Sequence, residues 1–136
     1  RISSLWRLSN SGPIDDQGLK LERYAEIIYD NGLKNMPIFL SSDDSKIKKE
    51  LKSLLGNNVS IYSAKQKERT GYDQVNFNRL GPKLRWEEVV FFLFELEMMA
   101  NSTYFVGGSP SNVFYWTRYR RGNRNVLDAG GGDSSV

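Results

Sequence analysis

ANSTYFVGGSPSNVFYWTRY, residues 100–119, is the stretch that decides the fold, because it contains an apolar strand followed at once by a helix. The YFV run predicts the strand, and Gly107 and Gly108 allow a tight turn close to a ligand. Ser109 suits the N-cap of the next helix, and Pro110 suits its first position. Backbone N–H groups at such a junction commonly bind phosphate. The stretch therefore predicts either a nucleotide-binding turn or an ordinary strand-to-helix turn.

Helix and strand alternate along the rest of the chain. Apolar residues recur at helical spacing in some segments and form short continuous runs in others. The predicted helices cover about residues 19–33, 43–55, 86–100 and 110–121, and the predicted strands cover residues 36–42, 58–64 and 104–106. The polar stretch over residues 65–83 is expected to be a functional or mobile loop. This alternation predicts an α/β domain with a parallel sheet between two layers of helices, a three-layer Rossmann-like architecture.

Length and composition are those of one globular domain that lacks two residue types common in catalytic and metal-binding sites. The 136 residues include no cysteine and no histidine, and the net charge is +3. Disulfide bonds and thiolate or imidazole metal sites are thereby excluded for this sequence, and no metal site is expected. We expect a domain over residues 1–125 and a flexible Gly/Ser-rich tail over residues 126–136. Because the sequence starts at Arg1 rather than at methionine, we expect it to be a piece of a longer protein.

Two groups of polar residues follow predicted strands and are expected to meet at one edge of the sheet. Residues 41–44, SSDD, follow one strand, and residues 107–109 follow another. Loops at the carboxyl ends of parallel strands share an edge, so carboxylates, hydroxyls and backbone N–H groups converge there. Together they could hold the ribose and the phosphates of a sugar nucleotide. The alternative for Asp43 and Asp44 is simple capping of the helix that follows.

Glu95 has an unusual setting for a carboxylate. Its neighbours three and four residues away are all apolar: Phe91, Phe92, Met98 and Met99. Burying a carboxylate on such a face costs on the order of several kcal/mol unless a partner compensates. Two interpretations remain open. Glu95 either pairs with a basic residue of a neighbouring helix or accepts the N–H donors of a guanine base.

A basic and aromatic cluster near the end of the last predicted helix suggests an alternative, non-enzymatic function. Arginines alternate there with large aromatic residues: Arg118, Arg120, Arg121 and Arg124, with Tyr115, Trp116 and Tyr119. Such a pattern is typical of surfaces that bind nucleic acid or another polyanion. Helix-dipole complementation, stem packing and cation–π stacking produce it as well. Because the net charge is modest, no nucleic acid is expected as a partner.

Two segments resemble the fucosyltransferase superfamily, which includes the α-1,6-fucosyltransferases, the nodulation fucosyltransferases and the protein O-fucosyltransferases. FLSSDDSKIKKELK, residues 39–52, resembles the family's strand that ends in a hydroxyl residue and Asp-Asp. ELEMMANSTYFVGGSPSNV, residues 95–113, resembles its acidic helix, the next strand and a serine-rich turn. The resemblance implies the C-terminal, donor-binding half of a GT-B glycosyltransferase. Such an enzyme transfers fucose from GDP-fucose to a glycan or protein hydroxyl with inversion, without a required metal.

The resemblance also implies roles for individual residues. Glu95 stands where the family has an aspartate against guanine, and Ser111 is the last serine of the turn that serves the phosphates. Gly108 and Pro110 replace hydroxyl residues, so one or two phosphate contacts are either lost or moved to Ser109 and the backbone. The implied donor-binding set is Asp43, Asp44, Glu95, Gly107, Gly108, Ser109 and Ser111.

Arg1 is the catalytic candidate, as the arginine of the family's His-x-Arg strand that neutralises the departing diphosphate. GDP-fucose would be the donor substrate with no separate cofactor, and a glycan or glycoprotein would be the acceptor. The acceptor-binding domain would lie upstream, so this chain alone is expected to bind the donor without turnover. In a eukaryote the compartment would be the Golgi or secretory lumen, with which the N-glycosylation sequons at Asn58 and Asn101 are compatible.

Overall fold

The protein has an α/β architecture built on a parallel sheet. A computed structural model describes residues 3–7, 20–42, 44–64, 74–109 and 111–130. Within these ranges the strands are β1 (Ser3–Arg7), β2 (Ile38–Ser42), β3 (Ile61–Tyr62), β4 (Tyr104–Gly107) and β5 (Val126–Asp128). The helices are α1 (Leu21–Asp30), α2 (Lys46–Leu55), α3 (Gln74–Arg79), α4 (Pro82–Asn101) and α5 (Asn112–Arg121), with a short 3₁₀ turn at Leu33–Asn35.

The described strands form one sheet in the order β3-β2-β1-β4-β5, and every neighbouring pair is parallel. β1 is the central strand, since Leu5 is aligned with Leu40 of β2 on one side and with Val106 of β4 on the other. The expected α/β class with a parallel sheet is confirmed.

Helices pack on both faces of the sheet, because alternate residues of a strand point to opposite faces. Val106 belongs to a core with α1 and α2, whereas its neighbour Phe105 packs with α4 and α5. Fully buried side chains of the first core are Tyr24, Ile28, Leu33, Ile38 and Leu51. The buried side chains of the second core are Leu96, Met99, Phe105 and Phe114. The sheet therefore lies between α1 and α2 on one side and α4 and α5 on the other.

Two helix ends lie where a left-handed backbone favours glycine. α1 ends at Asp30, Asn31 is its C-cap, and Gly32 follows with φ of 67°. α2 ends at Leu55, and its C-cap Gly56 has φ of 91°. Asn31-Gly32 therefore ends α1, and Gly56 caps α2.

The structure contains two strands that the sequence does not predict. β1 lies in residues 1–8, where serines interrupt the apolar pattern of a strand. β5 lies in the predicted tail over residues 126–136, and its three residues are too few for a periodic signal. It pairs with β4 after a turn in which Asn123 and Asn125 have φ of 61° and 49°. The segment up to Gly130 is thus part of the domain, and the rest of the predicted tail lies outside the described residues.

Helix boundaries also differ from the prediction. The predicted loop over residues 65–83 contains α3, and α4 begins at Pro82, a residue suited to the first helical position. The last helix begins after Ser111 as N-cap, and not at Pro110 after Ser109. Ser109 is held by a residue of β5, a strand that the sequence does not predict, so the wrong N-cap follows from the missed strand.

Candidate functional site

Three strand ends meet at the carboxyl edge of the sheet and define the candidate site. β1 ends at Arg7, whose Cα is aligned with that of Ser42, the last residue of β2. On the other side of β1, Leu5 is aligned with Val106, so Gly107 reaches the same edge. Since neighbouring strands are about 4.8 Å apart, the ends of β2 and β4 lie about 10 Å apart, with β1 between them. The two polar loops predicted to share an edge therefore flank the end of the central strand.

Arg7 places a cationic residue at this edge. The candidate Arg1 lies outside the described residues and precedes β1, whose first residue, Ser3, is at the amino edge. Arg7 ends the same strand, between β2 and β4. The sequence interpretation missed Arg7 because it assigned no strand to this segment. Once residues 3–7 are known to form a strand, its last residue becomes the candidate.

The turn after β4 is closed by a carboxylate of the same chain. Asp128, at the end of β5, accepts the Ser109 N–H at Oδ1 (3.0 Å) and the Ser109 hydroxyl at Oδ2 (2.7 Å). Its Oδ1 also accepts the Gly130 N–H at 2.7 Å, and the Ala129 N–H donates to the Gly107 carbonyl at 2.7 Å. The N–H and hydroxyl of Ser109, which the sequence analysis assigns to phosphate binding, thus bind the Asp128 carboxylate of the same chain.

Packing accounts for glycine at position 107. Gly107 is buried, and a Cβ there would lie 2.7 Å from Cζ of Phe105 and 2.9 Å from Cδ2 of Phe114. The two rings stack on each other in the second core, with 5.9 Å between their centroids. Gly108 is buried as well, and its carbonyl accepts the Ser111 N–H at 3.2 Å. The Gly-Gly pair therefore closes the turn tightly over the core.

Ser111 is the N-cap of α5 and is half-buried. Its backbone is extended, with φ of −64° and ψ of 133°, and its side chain makes no capping hydrogen bond. Its carbonyl accepts the Tyr115 N–H at 3.1 Å. The first turn of α5 contains no acidic residue, so no carboxylate of that turn offsets the positive end of the helix dipole. The amino end of α5 therefore lies directly after the turn at the carboxyl edge of the sheet.

Asp44 caps α2, as in the alternative interpretation. Its Oδ1 accepts the Lys46 N–H at 2.9 Å, and its own N–H donates to the Ser42 hydroxyl at 3.2 Å. Asp43 lies outside the described residues, so its role stays a prediction. Ser41 is fully buried, and its hydroxyl makes no hydrogen bond to any residue that the structure describes. Of the described residues in this segment, Ser42 and Asp44 keep partial access to solvent.

Glu95 follows a residue that packs against the amino half of β2. Its neighbour Phe94 contacts Phe39 edge-on, with 6.2 Å between ring centroids. Phe39 is three residues, about 10 Å, before Ser42 at the carboxyl end of β2. Glu88 is seven residues earlier on the same helix face and also half-buried, so it lies about 10 Å nearer that edge. Glu88 is therefore a candidate that the sequence interpretation missed. The signal that could have identified it is its spacing of seven residues, two helical turns, from Glu95.

Arg121 of the basic cluster is a structural residue. It is only 4% exposed. Its guanidinium donates at 2.7–3.1 Å to backbone carbonyls at the end of α4 and before β4, those of Met99, Ala100, Ser102 and Thr103. Burial and the nearby Arg124 lower the pKa of Arg121 from its ordinary value. Since the last carbonyls of a helix lack intrahelical partners, Arg121 satisfies them and ties α5 to α4.

The other arginines of the cluster also make contacts within the protein. Arg118 donates to the Asn123 side chain at 2.6 Å, and Arg124 donates to the Arg121 carbonyl at 3.0 Å. Arg120 pairs with Glu97 at 3.5 Å. These contacts are those expected from helix-end complementation and packing, while binding of a polyanion stays a prediction.

Comparisons with known proteins assign no family. No protein-family model matches the chain, and no curated protein matches it either. The resemblance to fucosyltransferases therefore rests on the sequence motifs alone. Among the described residues, no group of three or more acidic residues could hold a metal ion. In the same part of the chain, no helix is both long enough and apolar enough to cross a membrane.

Proposed function

We propose that this chain binds the nucleotide of a sugar-nucleotide donor, GDP-fucose, at the carboxyl edge of its sheet. In this proposal it is the donor-binding part of a fucosyltransferase-like glycosyltransferase, with a Rossmann-like domain of the GT-B type. Fucose passes with inversion to a hydroxyl of a glycan or protein that is held outside this chain.

The strand order is the observation that carries the proposal. From β1 the sheet extends to β2 and β3 on one side and to β4 and β5 on the other, with all pairs parallel. At the point where the order reverses, the loops after β1 and β4 diverge and open a crevice at the carboxyl edge. Dinucleotide-binding domains with this order hold their ligand in that crevice, which supports the Rossmann-like assignment.

Arg7, Ser111 and the amino end of α5 are the groups proposed to bind the diphosphate. Arg7 ends β1 on one side of the crevice, and α5 begins on the other side, after Ser111. Negative charge grows on the diphosphate as the bond to fucose breaks. A guanidinium carried on a strand end and a helix N-terminus both stabilise negative charge that develops between them. Their proposed role is therefore electrostatic.

Glu88 and Glu95 are the two carboxylates proposed to accept the N–H donors of guanine. Glu88 is seven residues nearer the start of α4, which favours a position closer to the carboxyl edge, whereas Glu95 matches the family motif. Both are half-buried. A carboxylate with reduced access to water binds paired N–H donors more strongly than an exposed one.

Calorimetric titration of the whole chain with GDP tests the proposal. Arg7→Ala is expected to weaken GDP binding about tenfold or more, because a hydrogen bond to a charged group contributes about 1.5–3 kcal/mol. Arg23→Ala is the matched control. It removes the same charge from the exposed side of α1, where Arg23 pairs with Glu26 at 3.2 Å.

Glu88→Gln and Glu95→Gln decide between the two carboxylates. The variant that removes the guanine contact weakens GDP binding and leaves the binding of inorganic diphosphate unchanged. A folded chain without measurable GDP affinity contradicts the proposal, and so does an equal effect of Arg7→Ala and Arg23→Ala. Circular dichroism of each variant separates loss of binding from loss of fold.

A further inference from the structure

The outward face of α4 has the residue pattern of a buried helix face. Trp86, Val89, Val90, Leu93 and Phe94 follow the spacing i, i+3, i+4, i+7 and i+8, which forms one apolar stripe. We call these five residues the α4 stripe. Their exposed fractions are 67%, 38%, 44%, 52% and 50% in that order. The α4 stripe is therefore apolar surface in contact with water.

The opposite side of α4 already packs on the sheet. Leu96 and Met99 are buried there against Phe105 and Phe114. A helix with apolar residues around its whole circumference is normally buried on every side. The sheet covers that side and touches the edge of the α4 stripe, where the Phe94 ring contacts Phe39 of β2. The exposed remainder of the stripe is left for another surface.

We propose that the α4 stripe is the interface of a symmetric homodimer, in which α4 pairs antiparallel with α4 of a second copy. Val90 lies at the centre of the stripe, so it faces Val90 of the second copy at the two-fold axis. Trp86 then packs against Phe94 of the second copy, and Phe94 against its Trp86. A two-fold axis makes such a contact self-complementary and closed, as in most homodimers.

The charges that flank the α4 stripe fit this arrangement. Lys83 and Glu97 each lie seven residues from Val90, on opposite sides. The first turn of α4 has no acidic residue and its last turn no basic one, so its charges do not complement its own dipole. Antiparallel pairing brings Lys83 opposite Glu97 of the second copy. Glu97 pairs with Arg120 through Oε1 and accepts the Asn101 side-chain amide at Oε2, and it remains 53% exposed, so a second cation can approach it.

The exposed area matches a weak dimer. From their exposed fractions, and from the 150–250 Å² of a whole aromatic side chain, the five residues expose on the order of 500 Å². A specific interface buries about 600 Å² or more per partner, which the stripe approaches together with Lys83 and Glu97. A stripe of this size is as large as the largest apolar patch of a typical monomer. This area is at the low end for a specific interface, so we expect a weak dimer that dissociates on dilution.

Sedimentation equilibrium of the whole chain over a range of concentrations tests the proposal. The average mass is expected to rise from 15.6 kDa toward twice that value. Val90→Lys sets two like charges against each other at the axis and is expected to give a monomer. Leu84→Lys is the matched control: Leu84 is 51% exposed on the same helix but lies outside the α4 stripe, so this variant still dimerises.

Charge reversal tests the antiparallel orientation separately. Lys83→Glu and Glu97→Lys are each expected to weaken the dimer, and the double variant is expected to restore it. Restoration requires that residues 83 and 97 of the two copies face each other across the interface. A different protein bound to the α4 stripe would not give this restoration. A folded chain that stays monomeric at every concentration overturns the proposal, and leaves the stripe to a different protein or domain. A dimer that Val90→Lys leaves intact overturns it as well.

Discussion

Ser109 donates two hydrogen bonds to Asp128, from its N–H to Oδ1 at 3.0 Å and from its hydroxyl to Oδ2 at 2.7 Å. The junction that the sequence assigns to phosphate binding is thus already bound to a carboxylate from β5. A diphosphate at this edge has to bind beside Asp128 or displace it. The affinity of the proposed site for anions is therefore expected to depend on the charge of Asp128 as well as on that of Arg7.

Removing the charge of Asp128 is expected to strengthen nucleotide binding and weaken the fold. In Asp128→Asn the amide oxygen still accepts N–H groups, but repulsion of the diphosphate is lost. We expect GDP to bind roughly three- to tenfold more tightly, as for one charge a few ångströms away near a protein surface. The unfolding free energy falls by about 1 kcal/mol, because neutral hydrogen bonds replace charge-assisted ones.

Asp30→Asn is the control for this prediction. Asp30 ends α1, is exposed, and loses the same charge at a place remote from the strand ends. Calorimetry with GDP and thermal unfolding measure the two effects. Equal GDP affinities in both variants would show that Asp128 does not border the nucleotide.

Loss of the Arg121 guanidinium is expected to destabilise the protein strongly. Arg121→Met keeps the aliphatic stem but leaves the carbonyls of Met99, Ser102 and Thr103 without this donor. We expect a loss of about 2–4 kcal/mol, because buried acceptors then lack partners. Arg120→Met, one residue earlier, removes only the exposed pair with Glu97 and is expected to cost less than about 1 kcal/mol. Urea unfolding of both variants measures the difference, and similar midpoints would contradict the structural role of Arg121.

Gly107 is expected to tolerate no side chain. In Gly107→Ala the new Cβ meets the rings of Phe105 and Phe114 below 3 Å, so the core has to shift at a cost of about 1–3 kcal/mol. Gly81→Ser is the control, because a Cβ at Gly81 has open space and serine is a favourable N-cap for α4. In thermal unfolding, the midpoint temperature is expected to fall for Gly107→Ala and to stay unchanged or rise for Gly81→Ser. An unchanged midpoint there would mean that the turn relaxes without cost.

The buried hydroxyl of Thr117 is expected to be a stabilising target. Thr117 is fully buried, and within the described part of the chain its Oγ1 has no hydrogen-bond partner. Thr117→Val replaces the hydroxyl by a methyl group of similar size and is expected to stabilise the protein by about 1 kcal/mol. Thr117→Ala instead leaves a cavity and is expected to destabilise it. If Thr117→Val lowers the unfolding free energy, the hydroxyl has a partner, such as a buried water.

The sequence predicts the local elements of this fold better than its long-range pairings. The ends of α1 and α2 follow from Asn31-Gly32 and Gly56, because capping is decided within one helical turn. β1 does not follow, because its stability comes from pairing with β2 and β4, which are distant in sequence. β5 is missed for the same reason, and with it the partner of Ser109.

The candidate site shows the same division. The strand-to-helix turn at residues 107–111 is evident from its glycines and serines. The level of Glu95 depends on where α4 packs against Phe39, a contact that no local pattern encodes. Arg7 becomes a candidate only when β1 is known to end there, between the two loops.

Amide chemical shifts recorded during a titration with GDP test the central claim most directly. That claim is that the nucleotide binds where the strand order reverses, between β1 and β4. The account predicts that the largest changes occur at Arg7, Ser42, Gly108 and Ser111, with little change at the amino edge near Asp30. Saturable binding whose largest changes lie away from the carboxyl edge, or no change at any GDP concentration in a folded sample, would contradict it.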